Sequence, residues 1–363
     1  MKVYIYSELQ KKIAKSGVGR AIYHQKKALS DCGIKLVDSI EEADVVHINT
    51  VLPNSRRLAK RVRRMGKALV YHAHSTREDF RNSYIGSNLA AGLFKRWIIS
   101  CYTKGDVIIT PSEYSKGLLE GYGIKKEIFA ISNGIDLEDY KRNEEAGREF
   151  RKRYGFSEND KVVVSAGLLI KRKGVHDFAE IARRLPQYKF IWFGSANLKL
   201  VGKEVRSAVK NAPDNLTFAG YVDKPALQAA LSGSDLFLFP SYEETEGIVV
   251  LEALAMKIPT LLRNIPVYDG WICSHTGGGG TIPTSPITST NLCGSPRISS
   301  KTVCRPLWKT ATRWYVPAAS HKRADSSPKR TNGRWSCTAK NCRKTAYPTS
   351  PFYSDRIPVD SGP

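Results

Sequence analysis

The run Pro240-Ser241-Tyr242-Glu243-Glu244-Thr245-Glu246-Gly247-Ile248-Val249-Val250-Leu251-Glu252-Ala253-Leu254-Ala255-Met256 begins where an apolar stretch, Leu236-Phe237-Leu238-Phe239, ends. It passes through an acidic turn into apolar residues at helical spacing, which predicts a strand, a loop and a helix. The turn therefore stands at a strand's C-terminal end and a helix N-terminus. Open α/β sheets take their ligands there, because first-turn amides are unpaired and face the crevice. Gly247 permits close backbone approach, and Glu244 and Glu252, about two helical turns apart, are both available to one cleft. Three glutamates at a helix start also suit the helix dipole without any ligand. Glu252 weighs against that reading, since a carboxylate within a run of Ile, Val, Leu and Ala needs a polar partner when buried. A pair of sugar or ribose hydroxyls would be such a partner.

Upstream, the same grammar repeats. Residues 2–6 read as a strand, followed by a loop ending in Ser16-Gly17-Val18-Gly19-Arg20 and a helical pattern through Leu29. Amides of a glycine-bearing loop before a helix can point at a diphosphate, although two glycines also serve a tight turn. Further strands are predicted at 45–49, 68–72 and 107–110, so the first part of the chain is a parallel, doubly wound sheet. A charged helical segment at 138–159 suits an interdomain connection. The next strand, from Lys161, leads into Leu168-Leu169-Ile170-Lys171-Arg172-Lys173-Gly174 and a helix at 175–185. Cations at a strand-to-helix loop facing a carboxylate-rich cleft suit a nucleotide diphosphate, whose charge grows as a glycosidic bond breaks; a solvated loop is the plain alternative. Segments 190–195 and 218–222 read as strands ending in glycine.

A chain of 363 residues suits two domains with large cores. Its net charge of +23 suggests a polyanionic partner, yet +11 of it lies after residue 270. No stretch approaches the roughly 20 apolar residues of a spanning helix, and the N-terminus opens as a strand. The expected location is cytoplasmic, at most on a membrane surface. Residues 56–67 form a helical pattern with Leu58, Arg61, Val62 and Met65 on one side and a dense cationic face opposite. Such a face is either plain solvated surface or one that adsorbs to anionic lipid. The run Leu93-Phe94-Lys95-Arg96-Trp97-Ile98-Ile99 offers an interfacial anchor, with core burial the more usual fate. His72-Ala73-His74 has no third ligand at metal spacing, so a hydrogen-bonding role toward a sugar is favoured over a metal. From Trp271 onward there are 35 Ser, Thr and Pro in 93 residues, no Glu or Gln, and two Leu. That composition cannot fill a core, and disorder is its expected state. Cys273, Cys293, Cys304, Cys337 and Cys342 show neither zinc nor disulfide-framework spacing.

Glu244-x7-Glu252 with Gly247 between them resembles the signature of the retaining family 4 glycosyltransferases, which have the GT-B fold. The family usually reads Glu-Gly-Phe-Gly there; here Glu244-Thr245-Glu246-Gly247 loses the first glycine. Lys173 matches the family's Gly-Arg-Leu-x-x-x-Lys-Gly, while Leu168 takes the usual arginine position and Arg172 can supply that charge. Ser132-Asn133-Gly134-Ile135-Asp136 resembles the turn closing the N-terminal domain. The string His74-Ser75-Thr76-Arg77-Glu78-Asp79-Phe80, with Ile85-Gly86-Ser87-Asn88-Leu89 and Pro111-Ser112-Glu113-Tyr114-Ser115-Lys116-Gly117, resembles a narrower group: bacterial enzymes that add a second hexose to glucosyl-diacylglycerol.

The resemblance implies α/β architecture with two Rossmann-like domains facing a cleft: 1–145 toward acceptor and membrane, 146–270 binding the nucleotide sugar, then the tail at 271–363. It implies hexose transfer with retention from UDP-glucose or UDP-galactose, with no other cofactor and no metal. The partners are then the donor, a glycolipid acceptor and an anionic membrane surface on the inner face of the cell membrane, with no nucleic acid. Arg172 and Lys173 would stabilise the departing diphosphate, Glu244 and Gly247 the donor sugar, Glu252 the ribose and Tyr221 the uracil edge. Gly17 and Gly19 would supply the phosphate loop, and His74 a contact near the reacting sugar. The likeness stops near Trp271, where the family's further β–α units and returning helix are not legible. A shift of reading frame there is the simplest account, and the chain as written is then expected to be inactive. A sugar-nucleotide epimerase and a basic nucleic-acid-binding protein are the competing functions.

Overall fold

The computed structural model describes residues 1–13 and 16–269. The first sheet is built from β1 (Lys2–Tyr6), α1 (Gln10–Ile13), α2 (Gly17–Asp31), β2 (Lys35–Val37), β3 (Val45–Ile48), α3 (Pro53–Arg64), β4 (Ala68–His72), α4 (Arg77–Phe80), α5 (Ser87–Tyr102), β5 (Val107–Thr110), α6 (Glu113–Gly121) and β6 (Glu127–Ala130). Its six strands lie in the order β2-β1-β3-β4-β5-β6, all parallel. The second comprises α7 (Glu144–Arg153), β7 (Val162–Ala166), α8 (Val175–Arg184), β8 (Lys189–Phe193), α9 (Lys203–Lys210), β9 (Leu216–Gly220), α10 (Lys224–Ser232), β10 (Leu236–Phe239), α11 (Ile248–Ala255) and β11 (Thr260–Leu262). Its order is β11-β10-β7-β8-β9, again parallel. The central strands β3, β7 and β10 are buried at every residue, as a sheet covered by helices on both faces requires.

Strand order reverses between β1 and β3 in one sheet and between β7 and β10 in the other. Those are the points at which loops splay apart and leave a crevice at the carboxyl ends. The acidic loop after β10 and the cationic loop after β7 thus open side by side. Gly174 makes that closeness possible: its φ is +73°, and a Cβ there would lie 2.2 Å from the Pro240 carbonyl oxygen.

Several local expectations change. The glycine loop is the cap and first turn of α2, because Ser16 accepts from the Gly19 amide at 3.3 Å and starts the helix at Gly17. On α3 the buried stripe is Ser55, Ala59 and Val62, at i, i+4 and i+7; Met65 is the exposed C-cap and Arg61 points outward to Glu41. The connection at 138–159 is helical only over Glu144–Arg153, and α7 packs against the second sheet's α10, with Gly147 pressed to Gly233. Strands β2 and β6, three and four residues long at the ends of the first sheet, have too little periodicity to be read alone. The expectations for the tail, its cysteines and its reading frame lie outside the described residues.

Candidate active site

Between the two sheets lies a cavity of about 540 Å³. Its lining includes Ser16, Gly17 and Arg20 at the start of α2, His74 from the loop after β4, Asp79 of α4, Arg172 and Lys173, Tyr221, and Glu244 through Gly247. Of the residues singled out from sequence, it brings together Gly17, His74, Arg172, Lys173, Tyr221, Glu244 and Gly247. Gly19 and Glu252 are not in the lining.

The best defined chemistry is around Glu244. Lys173 Nζ donates to its Oε1 at 2.5 Å, Ser241 Oγ donates to the same oxygen at 2.5 Å, and Arg172 Nη1 lies 3.7 Å away. Burial pushes the Glu244 carboxyl up, but the two cations and these hydrogen bonds outweigh it and hold the group below its ordinary range. Burial also lowers the Lys173 ammonium, against the pull of Glu244. Arg172 is fixed from three sides: Nη1 donates to the Glu243 carbonyl at 2.7 Å, its backbone N–H to Asn82 at 2.9 Å, and Nε to Ser83 Oγ at 3.4 Å. A buried ammonium and a guanidinium beside one carboxylate form a preorganised site for a further anion.

The acidic turn also joins the two halves. Asn133 donates to Glu246 Oε2 from its side chain at 2.6 Å and its backbone at 3.2 Å. Ser112 Oγ donates to the Thr245 carbonyl at 2.6 Å, and the Tyr114 hydroxyl to Glu243 Oε2 at 3.1 Å. Burial raises Glu246, and it pushes Glu243 up to about 7. At Gly247 φ is +89°, which lets the chain leave this turn and enter α11 at once.

Glu252, fully buried in α11, is turned toward the first half rather than the cavity. Its Oε1 pairs with Arg20 and accepts from the Tyr140 hydroxyl at 2.9 Å, while Oε2 has no protein partner. Burial raises its carboxyl despite Arg20. Arg20 was legible only as a lone cation after two glycines. Its partner lies 232 residues away.

His74 Nε2 is hydrogen-bonded to Asn49 Oδ1 at 2.8 Å, Asn49 Nδ2 donates to Gln25 Oε1 at 3.0 Å, and the Gln25 amide nitrogen meets both His72 and His47. Burial lowers His74 and His47 to about 4, so both rings are neutral at neutral pH. These imidazoles are spent on amides, and among the described residues no group of His, Cys, Asp and Glu is arranged to hold a metal ion. Asp79 and Asn133, both quoted in the sequence strings but given no role there, also line the cavity.

Residues 16–139 match the family described as Glycosyltransferase Family 4, and residues 147–283 that described as Glycosyl transferases group 1. The chain is 45% identical over 274 residues to a processive diacylglycerol alpha-glucosyltransferase of Acholeplasma laidlawii, covering 75% of this chain and 81% of that protein. It is 30% identical over 233 residues to an alpha-galactosylglucosyldiacylglycerol synthase of Streptococcus pneumoniae, covering 62% of each. Among solved structures, Anabaena HepE in complex with UDP and glucose superposes with a TM-score of 0.56 at 19% identity, covering 72% of this chain and 80% of that one, which shows a shared fold.

Proposed function

We propose, for a chain that belongs to the family 4, group 1 glycosyltransferases, that it moves a hexose with retention from a UDP-sugar to glucosyl-diacylglycerol at a membrane surface. The observation that carries this reading is the buried Lys173–Glu244–Arg172 cluster in a cavity walled by both domains. When the bond from sugar to diphosphate breaks, negative charge grows on the leaving phosphate. Two cations already fixed there need no reorganisation to receive it. Glu244, released from Lys173 as the phosphate takes that partner, is free to accept from donor-sugar hydroxyls. Tyr221 at the second sheet's edge would meet the uracil, and Gly247 would let the backbone approach the sugar. Helix geometry leaves the Gly17 amide unpaired for phosphate; the Gly19 amide, engaged by Ser16, contributes by building that turn. The unpartnered Oε2 of Glu252 suits a ribose hydroxyl. We place the domain division at 145/146, within the first turn of α7.

For the acceptor, the relatives act on diacylglycerol glycolipids by name, and the surface of the first domain suits a bilayer. Along α5 and the turn before it, Ile85, Leu89 and Leu93 are 63%, 92% and 70% exposed, an apolar ridge at i, i+4 and i+8. Just past the C-terminal end of α5, Lys104 stands near Arg56, Lys60 and Arg63 of α3, and burial, then these like charges, push it down. Trp97, in contrast, turns inward and donates to the Val51 carbonyl at 2.5 Å. An exposed apolar ridge together with a group of cations that no carboxylate among the described residues pairs is the pattern of adsorption to anionic lipid. No helix among the described residues is long and apolar enough to cross a membrane. We therefore propose a peripheral protein on the inner face of the cell membrane, needing neither metal nor nucleic acid. The test is transfer of radiolabelled sugar from UDP-glucose and UDP-galactose to glucosyl-diacylglycerol in vesicles, using the full chain and a version with its reading frame restored after residue 270. Labelled diglycosyl lipid is expected with one donor. Donor hydrolysis with no lipid product from either version would overturn the reading.

A further inference from the structure

In the cavity lining, linked to Arg172 through Ser83, stands a carboxylate that the proposed donor chemistry does not use, Asp79. Its backbone is fixed three ways. Thr76 and Asp79 form a capping box at the start of α4, with the Thr76 N–H donating to Asp79 Oδ1 at 3.0 Å and the Asp79 N–H to Thr76 Oγ1 at 3.1 Å. Ser83 Oγ donates to the Asp79 carbonyl at 2.9 Å, and Phe80 next to it stacks on Phe94 of α5, with ring centroids 4.1 Å apart. One carboxylate oxygen is thus spent on the cap. The other has no hydrogen bond to any described residue, and Asp79 lines the cavity.

A carboxylate oxygen can only accept, so it selects ligands that present O–H or N–H groups. From Asp79 the chain runs through Asn82 and Ser83, both bonded to Arg172, and six residues on reaches Ile85, the start of the exposed apolar ridge. A glycolipid whose acyl chains lie along that ridge would bring its sugar toward Asp79, beside the cations proposed to receive the donor's phosphates. We infer that Asp79 is an acceptor-binding residue, whose uncapped carboxylate oxygen takes a hydrogen bond from a hydroxyl of the acceptor sugar and holds that sugar against the donor. This rests on the glycolipid-acceptor reading above. Burial raises the Asp79 carboxyl to about 6, so it is ionised at neutral pH and its hydrogen bond is charge-assisted. A buried acceptor left unpaired by the wrong ligand is how such a site rejects molecules lacking the hydroxyl.

Asp79→Asn separates this role from the structural one, since the amide oxygen can still accept from Thr76 while the second position becomes a donor. The full chain and the variant are titrated calorimetrically with UDP, and then, with UDP bound, with octyl glucoside below its micelle concentration. Unchanged UDP affinity with at least tenfold weaker glucoside binding, at a melting temperature equal to that of the unsubstituted chain, is expected. Equal glucoside affinity in the two proteins, a matching loss for UDP, or no glucoside binding by the unsubstituted chain would overturn the assignment. If the unsubstituted chain binds no UDP at all, the glycosyltransferase reading falls first and this one with it.

Discussion

Replacing Glu244 by Gln removes a charge while keeping the shape of a buried residue. The carboxylate is 5% exposed and lies 2.5 Å from Lys173 Nζ and 3.7 Å from Arg172. Removing one member of a buried ion pair costs about 3–5 kcal/mol, mostly through the charge left behind. The glutamine oxygen can still accept from Lys173 and Ser241, which returns about 1 kcal/mol. A net loss of about 2–4 kcal/mol in unfolding free energy is therefore expected by urea titration. UDP should reverse part of it, because the diphosphate gives Lys173 and Arg172 a counter-charge for which Glu244 no longer competes. The variant should bind UDP about tenfold more tightly, equivalent to about 1.4 kcal/mol. In the version with its reading frame restored after residue 270, turnover should nevertheless fall about 10²-fold, or about 2.7 kcal/mol, if Glu244 holds the donor sugar. Calorimetric titration with UDP, urea curves with and without it, and sugar transfer supply the three readouts. If UDP stabilised both proteins equally and the variant turned over normally, Glu244 would be neither the counter-ion of Lys173 nor part of the reaction.

Changing Arg56, Arg57, Lys60, Arg63 and Arg64 together to Gln should weaken flotation with anionic but not neutral vesicles, and added salt should imitate it. Binding indifferent to both would leave α3 as ordinary solvated surface. Leu89→Asn with Leu93→Asn should weaken binding to both kinds of vesicle; undiminished binding would keep α5 out of the bilayer. Arg20→Met leaves the Glu252 carboxylate buried with only Tyr140, and should cost about 3 kcal/mol in urea unfolding, with Arg20→Lys recovering part; an unmoved midpoint would remove this pair from the interdomain contact. His47, 3% exposed and lowered to about 4 by burial, must charge in the unfolded chain first. Its contribution is present above about pH 6.5 and lost as pH falls through about 4. His47→Leu should flatten that acid loss in a series of urea curves; an identical slope would show that the ring is not held neutral by the fold.

What could be read from sequence follows from which signals are local. The central strands announce themselves because a strand covered on both faces must be apolar at every position, as in Val162-Val163-Val164 and Leu236-Phe237-Leu238-Phe239. The Glu244 loop was legible for a related reason: its charges interrupt an apolar run at a strand end. Pairings across the cavity carry no such mark. Nothing near Arg20 in sequence says that it faces Glu252, and Asn133 gives no sign of Glu246. Residues 17–20 read as loop although they form the first turn of α2, because capping and phosphate-binding turns share Ser and Gly. The run at 93–99 offers both an interfacial anchor and core burial, and packing divides it: Trp97 and Ile98 turn inward while Leu93, with Leu89, stays outside.

The turn at 243–247, to which we assign donor-side chemistry, also carries hydrogen bonds between the domains. Glu243, Thr245 and Glu246 each accept from the first domain, while Glu244 between them takes Lys173 and Ser241. Moving the first domain away would strip partners from Glu243 and Glu246, both of which burial already raises. Opening therefore exposes two carboxylates to solvent and restores their ordinary acidity. Closing buries them again at a cost that Tyr114 and Asn133 offset. Contact between the domains and burial of these two carboxylates therefore go together, beside the cavity that Glu244 lines.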